Sequence, residues 1–205
     1  MSDDEPTSLM IDMAFGLLGD TLSRDYRYGL ADAVEGALPW LTDPGRAGVH
    51  KLNLSAGGGP NALLSRRTRL TLRVPRDRAT EVALLAGGEL HVGTTTLHVG
   101  AAQTRELLPY GTLYAHLVAT DHNDEAVFMQ AMAAELSSMG VSCRPICGKF
   151  QVLEAGALQG FSLMLDRLSR ADSLHVLEAG LGRHRRLGCG LFVPHKSAAA
   201  VGTPS

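Results

Sequence analysis

Between residues 69 and 74 the chain alternates: Leu70, Leu72 and Val74 fall on one side, and Arg69, Thr71 and Arg73 on the other. A period of two predicts a half-buried strand with a basic outer face. Upstream, the apolar run from Leu9 to Leu18 has the length of a buried strand. Tyr26, Leu30, Ala33, Ala37, Leu38 and Leu41 then recur at helical spacing, predicting a helix over 26–41. Asp43, Pro44 and Gly45 end it. Val49 to Leu54 reads as a second strand, and Gly57 to Pro60 as a flexible connection. After the alternating strand, Asp77 to Ala86 reads as a short helix stopped by Gly87 and Gly88. Leu90 to Val99 reads as a hairpin turning at Gly93 and Thr94. The order is strand, helix, strand, strand, helix, strand.

The same order returns after Tyr110 and Gly111. Leu113 to Thr120 is a strand. Asn123 or Asp124 caps a helix carrying Phe128, Met132, Leu136 and Met139, closed by Gly140. Val141 to Cys147 and the alternating Phe161, Leu163 and Leu165 are two further strands. Ser169 with Asp172 forms a capping pair for a helix ending at Gly180, and Leu191 to Pro194 is a last short strand. Each pass has the split βαβ, ferredoxin-like arrangement. The expectation is an α+β protein of two tandem ferredoxin-like (RRM-like) domains over 9–109 and 110–196. A glycine-rich loop lies at 180–190 in the second, with loose tails at 1–8 and 197–205.

Composition changes this picture little. A chain of 205 residues, 45% hydrophobic and 20% charged, suits two small domains packed on each other. The net charge of −2 hides local runs of arginine, and patches rather than totals decide affinity for phosphates. Three cysteines, no secretory leader and no run of roughly 20 apolar residues predict a cytoplasmic protein without a disulfide framework or membrane span.

The richest segment is 180–190, where Gly180, Gly182, Gly188 and Gly190 bracket Arg183, His184, Arg185 and Arg186. Glycine lets backbone approach a ligand, and arginine offers planar donors to phosphate oxygens. The loop therefore reads as a clamp on a phosphate backbone, against the plainer reading of a solvated basic turn. A second run, Arg66, Arg67 and Arg69, continued by Arg73 on the same strand face, suits a tracked RNA backbone or edge protection by charge. His50 follows the loop broken by Pro44, Gly45 and Gly48. An imidazole near neutrality gives or takes a proton there, and Lys51 beside it steadies a phosphate; the alternative is a structural histidine. His91 and His98 lie on the predicted hairpin and could face each other. His116 shares a strand face with Tyr114, and the two either offer stacking to an unpaired base or form a buried polar pair. Cys143 and Cys147 lack the second pair that a structural zinc site wants, and no nucleotide-binding fingerprint appears. No metal or other cofactor is expected.

The run from Gly180 through Pro194 resembles the C-terminal signature of the CRISPR-associated repeat-processing endoribonucleases, of the repeat-associated mysterious protein superfamily, nearest the MYXAN-subtype branch. Ile11 to Phe15, Tyr28-Gly29-Leu30, Pro39-Trp40-Leu41 and Gly48-Val49-His50 agree with it, so the resemblance spans roughly 9–196. It implies two ferredoxin-like domains, binding of CRISPR repeat RNA, and metal-independent cleavage in which a ribose 2′-hydroxyl attacks the adjacent phosphate. His50 fits the family's histidine position. Tyr28 either orients the 2′-hydroxyl or packs in the core. Lys51, Arg66, Arg67, Arg69, Arg73, Gly182, Arg183, His184, Arg185, Arg186 and Gly188 are the expected RNA contacts. Residues 140–160 match the family least. Two rivals stand beside this reading: a non-catalytic guide-RNA-binding subunit of an effector complex, and an interaction module with no nucleic acid partner.

Overall fold

The computed structural model of the protein describes residues 8–43, 47–55 and 59–195. The first half contains β1 (Met10–Leu18), β2 (Thr21–Ser23), α1 (Arg27–Ala37), β3 (Gly48–Val49), β4 (Asn61–Leu63), β5 (Arg69–Pro75), α2 (Ala79–Ala83), β6 (Glu89–Val92) and β7 (Thr95–Glu106). The second contains β8 (Thr112–Ala119), α3 (Glu125–Ser138), β9 (Arg144–Leu153), β10 (Leu158–Asp166), α4 (Arg170–Ala179) and β11 (Phe192–Pro194). The first sheet runs β3-β5-β1-β7-β6 and the second β11-β8-β10-β9, with antiparallel neighbours throughout. Both are the ferredoxin-like order, with the first and third strands of each unit at the centre. In the first unit the last strand is doubled into the hairpin β6-β7, and β2 and β4 form a separate ribbon.

Local chemistry explains most of these elements. The inward row of β5, Leu70, Leu72 and Val74, is fully buried against Leu30 and Val34 of α1 and Val82 of α2. The Asp124 carboxylate accepts from the amides of Ala126 and Val127 and starts α3, and Gly140 ends it. Ser169 accepts from the Asp172 amide at 3.1 Å and starts α4. A second core lies between α3, α4 and the second sheet, and Met10 of β1 belongs to it. A third small cluster joins the units: Ala31 of α1, Leu117 and Ala119 of β8, Leu158, and Leu187 and Cys189 of the glycine-rich loop.

Several expectations are corrected. The first helix stops at Ala37, and Pro39–Thr42 forms a separate 3-10 turn, because proline at 39 cannot continue the hydrogen-bond ladder. The predicted strand over Val49–Leu54 shrinks to Gly48–Val49. The second helix is a 3-10 turn followed by five helical residues. The strand expected at Val141–Cys147 is Arg144–Leu153; its half-exposed edge position leaves no apolar run to mark it. On the hairpin, His98 faces Glu89 and His91 faces Thr96, not each other. Ser8, expected in a loose tail, is buried and donates to Glu178 at 2.6 Å. Pro44, Gly45, Gly57, Gly58 and both remaining tails lie outside the described residues.

Candidate functional site

The short β3 carries the most chemistry. Its ladder with β5 pairs Gly48 with Arg73 and Val49 with Leu72, and the His50 amide extends it by donating to the Thr71 carbonyl at 2.9 Å. His50 is therefore held by the sheet rather than placed on a free loop. The pleat sends it to the face away from the helices, together with Thr71 and Arg73. Asp12 of β1 lies directly opposite Arg73 on that face.

Arg73 is only 1% exposed. Its Nε and Nη2 donate to the two Asp12 carboxylate oxygens at 2.8 and 2.9 Å. Its Nη1 donates to the Leu177 and Phe192 carbonyls, in α4 and β11, at 2.9 and 2.8 Å. The expected RNA-binding role of Arg73 is thus overturned: the outer face of the first sheet is covered there by the second unit, and the guanidinium fastens the two together. His50 Nε2 is sealed from solvent and lies 3.5 Å from Asp12 Oδ1, without a hydrogen-bond partner among the described residues. Burial alone would raise the Asp12 pKa, but the contacts and charges of His50 and Arg73 outweigh it and hold the carboxyl well below the usual range. Burial pushes the His50 imidazole down. Asp12 pulls against that shift, while Arg73 and Arg185 reinforce it.

The glycine-rich loop folds back on itself and does not lie open. Leu181 and Gly190 meet backbone to backbone, with the Leu181 amide donating to the Gly190 carbonyl at 3.2 Å, and Gly190 donates to Leu117 of β8 at 2.8 Å. Gly190 has φ +64°, and a Cβ there would drive into the Leu181 carbonyl. At Gly188, φ +79°, a Cβ would press on the Arg27 guanidinium and the Lys51 backbone. These glycines serve close packing of the chain on itself. Gly182 is exposed, and its amide donates to Glu135 at 2.8 Å.

The loop's arginines are engaged internally. Arg185 is buried and donates to the Ala179 and Glu178 carbonyls at the end of α4, which corrects its assignment as a phosphate ligand. Burial, then the nearby Arg73, brings its pKa down to about 10. Arg186 pairs with Glu35 at 3.0 Å and approaches Asp32, and Arg183 pairs with Asp121. Both keep about half their side-chain surface, and His184 is exposed with left-handed backbone. The loop is thus not a solvated turn; Leu181, Leu187 and Cys189 are fully buried in it.

Arg66 and Arg67 are exposed, and Arg69 lies exposed beside them with Nη1 on the Arg66 and Thr68 carbonyls at 2.7 and 3.0 Å. None of the three has a carboxylate partner among the described residues. Lys51 is exposed next to His50, and its pKa is lowered by loss of hydration and by the nearby Arg27. Tyr28 is 36% exposed, its hydroxyl 3.5 Å from the Ala157 carbonyl, so it does not pack in the core. Tyr26 does, and its hydroxyl accepts from the Leu52 amide at 2.6 Å.

Sequence reasoning missed three members of this region. Arg27 is buried at the seam between the units, donating from Nη1 to Leu187 at 2.5 Å and from its backbone to Glu154 at 3.2 Å. Glu154 sits in a left-handed turn, and burial raises its pKa. Asp12 was visible only as one carboxylate inside an apolar strand. His116 lies near Lys51 and Arg27; burial first, and these cations second, bring its pKa down to about 4. Cys143 and Cys147 pack on the second core. Among the described residues no three His, Cys, Asp or Glu side chains converge as metal ligands.

Two ferredoxin-like units locked by a glycine-rich segment between the last helix and the last strand define the class: a tandem ferredoxin-like protein. The family model described as "Cas6 Crispr" matches residues 11–197. The CRISPR-associated endonuclease Cas6 of Myxococcus xanthus (strain DK1622) is 32% identical over 196 residues, covering 94% of this chain and 85% of that protein. The chain belongs to the Cas6 family. Among solved structures, a CRISPR associated protein Cas6 superposes with TM-score 0.67 at 12% identity, covering 91% of this chain and all of that one. A Cas6-related protein from Pyrococcus furiosus gives 0.59 at 12% identity, covering 90% and 98%. At these identities the superpositions carry the fold.

Proposed function

We propose that the protein is an endoribonuclease that binds CRISPR repeat RNA and cuts precursor CRISPR RNA into guide units by 2′-hydroxyl attack on the adjacent phosphate. The attack leaves a cyclic phosphate and a 5′-hydroxyl end. The observation that carries this reading is His50, one imidazole edge facing the Asp12 carboxylate at 3.5 Å, with the exposed ammonium of Lys51 as its chain neighbour. Burial and two arginines favour the neutral imidazole, the form that accepts a proton from the 2′-hydroxyl. Lys51 supplies positive charge for the phosphorane as negative charge builds on its oxygens. The hydroxyl of Tyr28 makes only a long contact in the free protein and is the helper in this scheme. Arg66, Arg67 and Arg69 form the open cationic surface for the RNA backbone, and Arg183, His184 and Arg186 are secondary contacts whose arginines must exchange a carboxylate for a phosphate.

Membership of the Cas6 family and the endonuclease name of the Myxococcus relative support the reading. No described helix is long and apolar enough to cross a membrane, and the site of action in this reading is the cytoplasm, where repeat transcripts are made. The test is cleavage of a repeat transcript in EDTA, beside a substrate with one 2′-deoxy nucleotide at the scissile position. A single cut in EDTA and none in the deoxy substrate is expected. Cleavage of the deoxy substrate, or a requirement for Mg²⁺, would defeat the mechanism. Binding without a cut in either would make the protein a guide-RNA-holding subunit.

A further inference from the structure

We propose that Asp12 is a positioning residue: it holds the Nε2 edge of His50, so that the proton exchanged with RNA passes through Nδ1. The proposal rests on the reading of His50 as the proton-transfer group. Its basis is a chain of fixed contacts running from the second unit to the imidazole. The Leu177 and Phe192 carbonyls hold the Arg73 guanidinium, which grips both oxygens of Asp12. With one oxygen 3.5 Å from His50 Nε2, Asp12 has little freedom to move. At 3.5 Å this is an approach and not yet a hydrogen bond; catalytic contacts of this kind often tighten only when substrate binds.

The chemistry of the pair decides the tautomer. A carboxylate held ionised only accepts hydrogen bonds. The nitrogen facing it must therefore carry the hydrogen, which leaves the lone pair on Nδ1. Nε2 is also sealed from solvent, so Nδ1 is the only ring nitrogen left to meet a substrate. In the reaction the 2′-oxygen gives its proton to Nδ1 and bonds to phosphorus. The bond from phosphorus to the 5′-oxygen breaks, and that oxygen leaves with its electron pair and takes a proton from water. The imidazolium then faces Asp12, which stabilises it, and Arg73 and Arg185, which oppose it. Without the carboxylate, the two arginines would leave the ring a poor base.

Asp12→Asn keeps the shape and can still accept from Arg73, but it loses the charge. At saturating protein under single-turnover conditions, cleavage should slow by about 10- to 100-fold, by analogy with removing the outer partner of a metal-bound histidine. RNA affinity should not change. The inflection of the pH–rate profile should move to lower pH, because the group that raises the His50 pKa is gone; a merely structural role for Asp12 would not shift it. Nitrogen-15 chemical shifts of the His50 ring in the RNA-free wild-type protein provide an arm that needs no variant, and they should show the Nε2–H tautomer. The positioning role is overturned by an Nδ1–H tautomer, or by an Asp12→Asn enzyme with wild-type rate and inflection while His50→Ala is slow. If His50→Ala itself cleaves at the wild-type rate, the reading of His50 fails first. If Asp12→Asn does not fold, the tautomer decides.

Discussion

Two stretches of this chain are rich in arginine, and the fold uses them in opposite ways. In the loop at 183–186 every guanidinium is engaged: Arg185 on the last carbonyls of α4, Arg186 on Glu35, Arg183 on Asp121. In the strand and turn at 66–69 the three arginines stand in solvent with no carboxylate partner among the described residues. Charge density along the sequence is similar in both; what differs is whether another part of the chain has already taken the donors. Arg73, one strand turn beyond Arg69 on the same face, lies on the other side of the divide. The lesson is that a basic segment marks a nucleic-acid surface only where the fold leaves it unpaired.

Substitutions in the two stretches should have opposite consequences. The largest stability effect is expected at Arg73. Arg73→Ala strands the largely covered Asp12 carboxylate and frees two carbonyls, and removing one partner of a buried pair typically costs about 3–5 kcal/mol. Urea unfolding would measure it, and a loss below about 1 kcal/mol would return Arg73 to the surface. Arg185→Ala should cost about 1.5–3 kcal/mol, the scale of charge-assisted hydrogen bonds. The triple change Arg66→Ala, Arg67→Ala and Arg69→Ala should do the reverse. Stability should stay within about 0.5 kcal/mol, while the log–log salt dependence of repeat-RNA binding flattens by about 2 units, about 0.7 for each lost phosphate contact on a single strand. The double change Arg183→Ala and Arg186→Ala breaks surface pairs worth about 0–1 kcal/mol each, and should flatten the salt slope less than the triple change does. Equal slopes from both variants would erase the distinction between the two stretches.

A smaller effect is expected with pH. The folded pKa of His116 is depressed from 6.5 to about 4, so the unfolded chain binds the proton first. Stability should be intact above about pH 6.5 and decline as pH falls toward 4, with Asp12 adding a further loss below the ordinary carboxylate range as its pairing with Arg73 and His50 is protonated away. His116→Gln should flatten the upper part of that decline in urea titrations between pH 7 and 4. An unchanged decline would place its source elsewhere.

Much of the fold was legible because each unit writes its own faces. The alternation of β5, the β6-β7 turn at Gly93, the Asp124 cap and the Ser169–Asp172 pair are local signals, and the structure contains each of them. The ferredoxin-like order in both halves followed from them. What the pattern does not encode is the covering of one unit by the other. Alternation says that Arg73 points away from the helices, but not that α4 and β11 lie over it. The opposed Asp12 was the available signal, since a carboxylate in an apolar strand asks for a partner on the neighbouring one. The glycines of 180–190 were equally ambiguous, because close approach to a ligand and close approach to the chain itself require the same residue. His50 was legible as a candidate, but its attachment to the β5 ladder and to Asp12 was not.

The role of His50 is tested most directly by the single-turnover cleavage rate of repeat RNA by His50→Ala, with RNA affinity measured on the same protein. The imidazole belongs to neither hydrophobic core, and the variant should bind RNA as the wild type does. Loss of a general acid–base group should slow the cut by about 10²- to 10⁴-fold. A variant that binds normally and cuts at the wild-type rate would contradict the account.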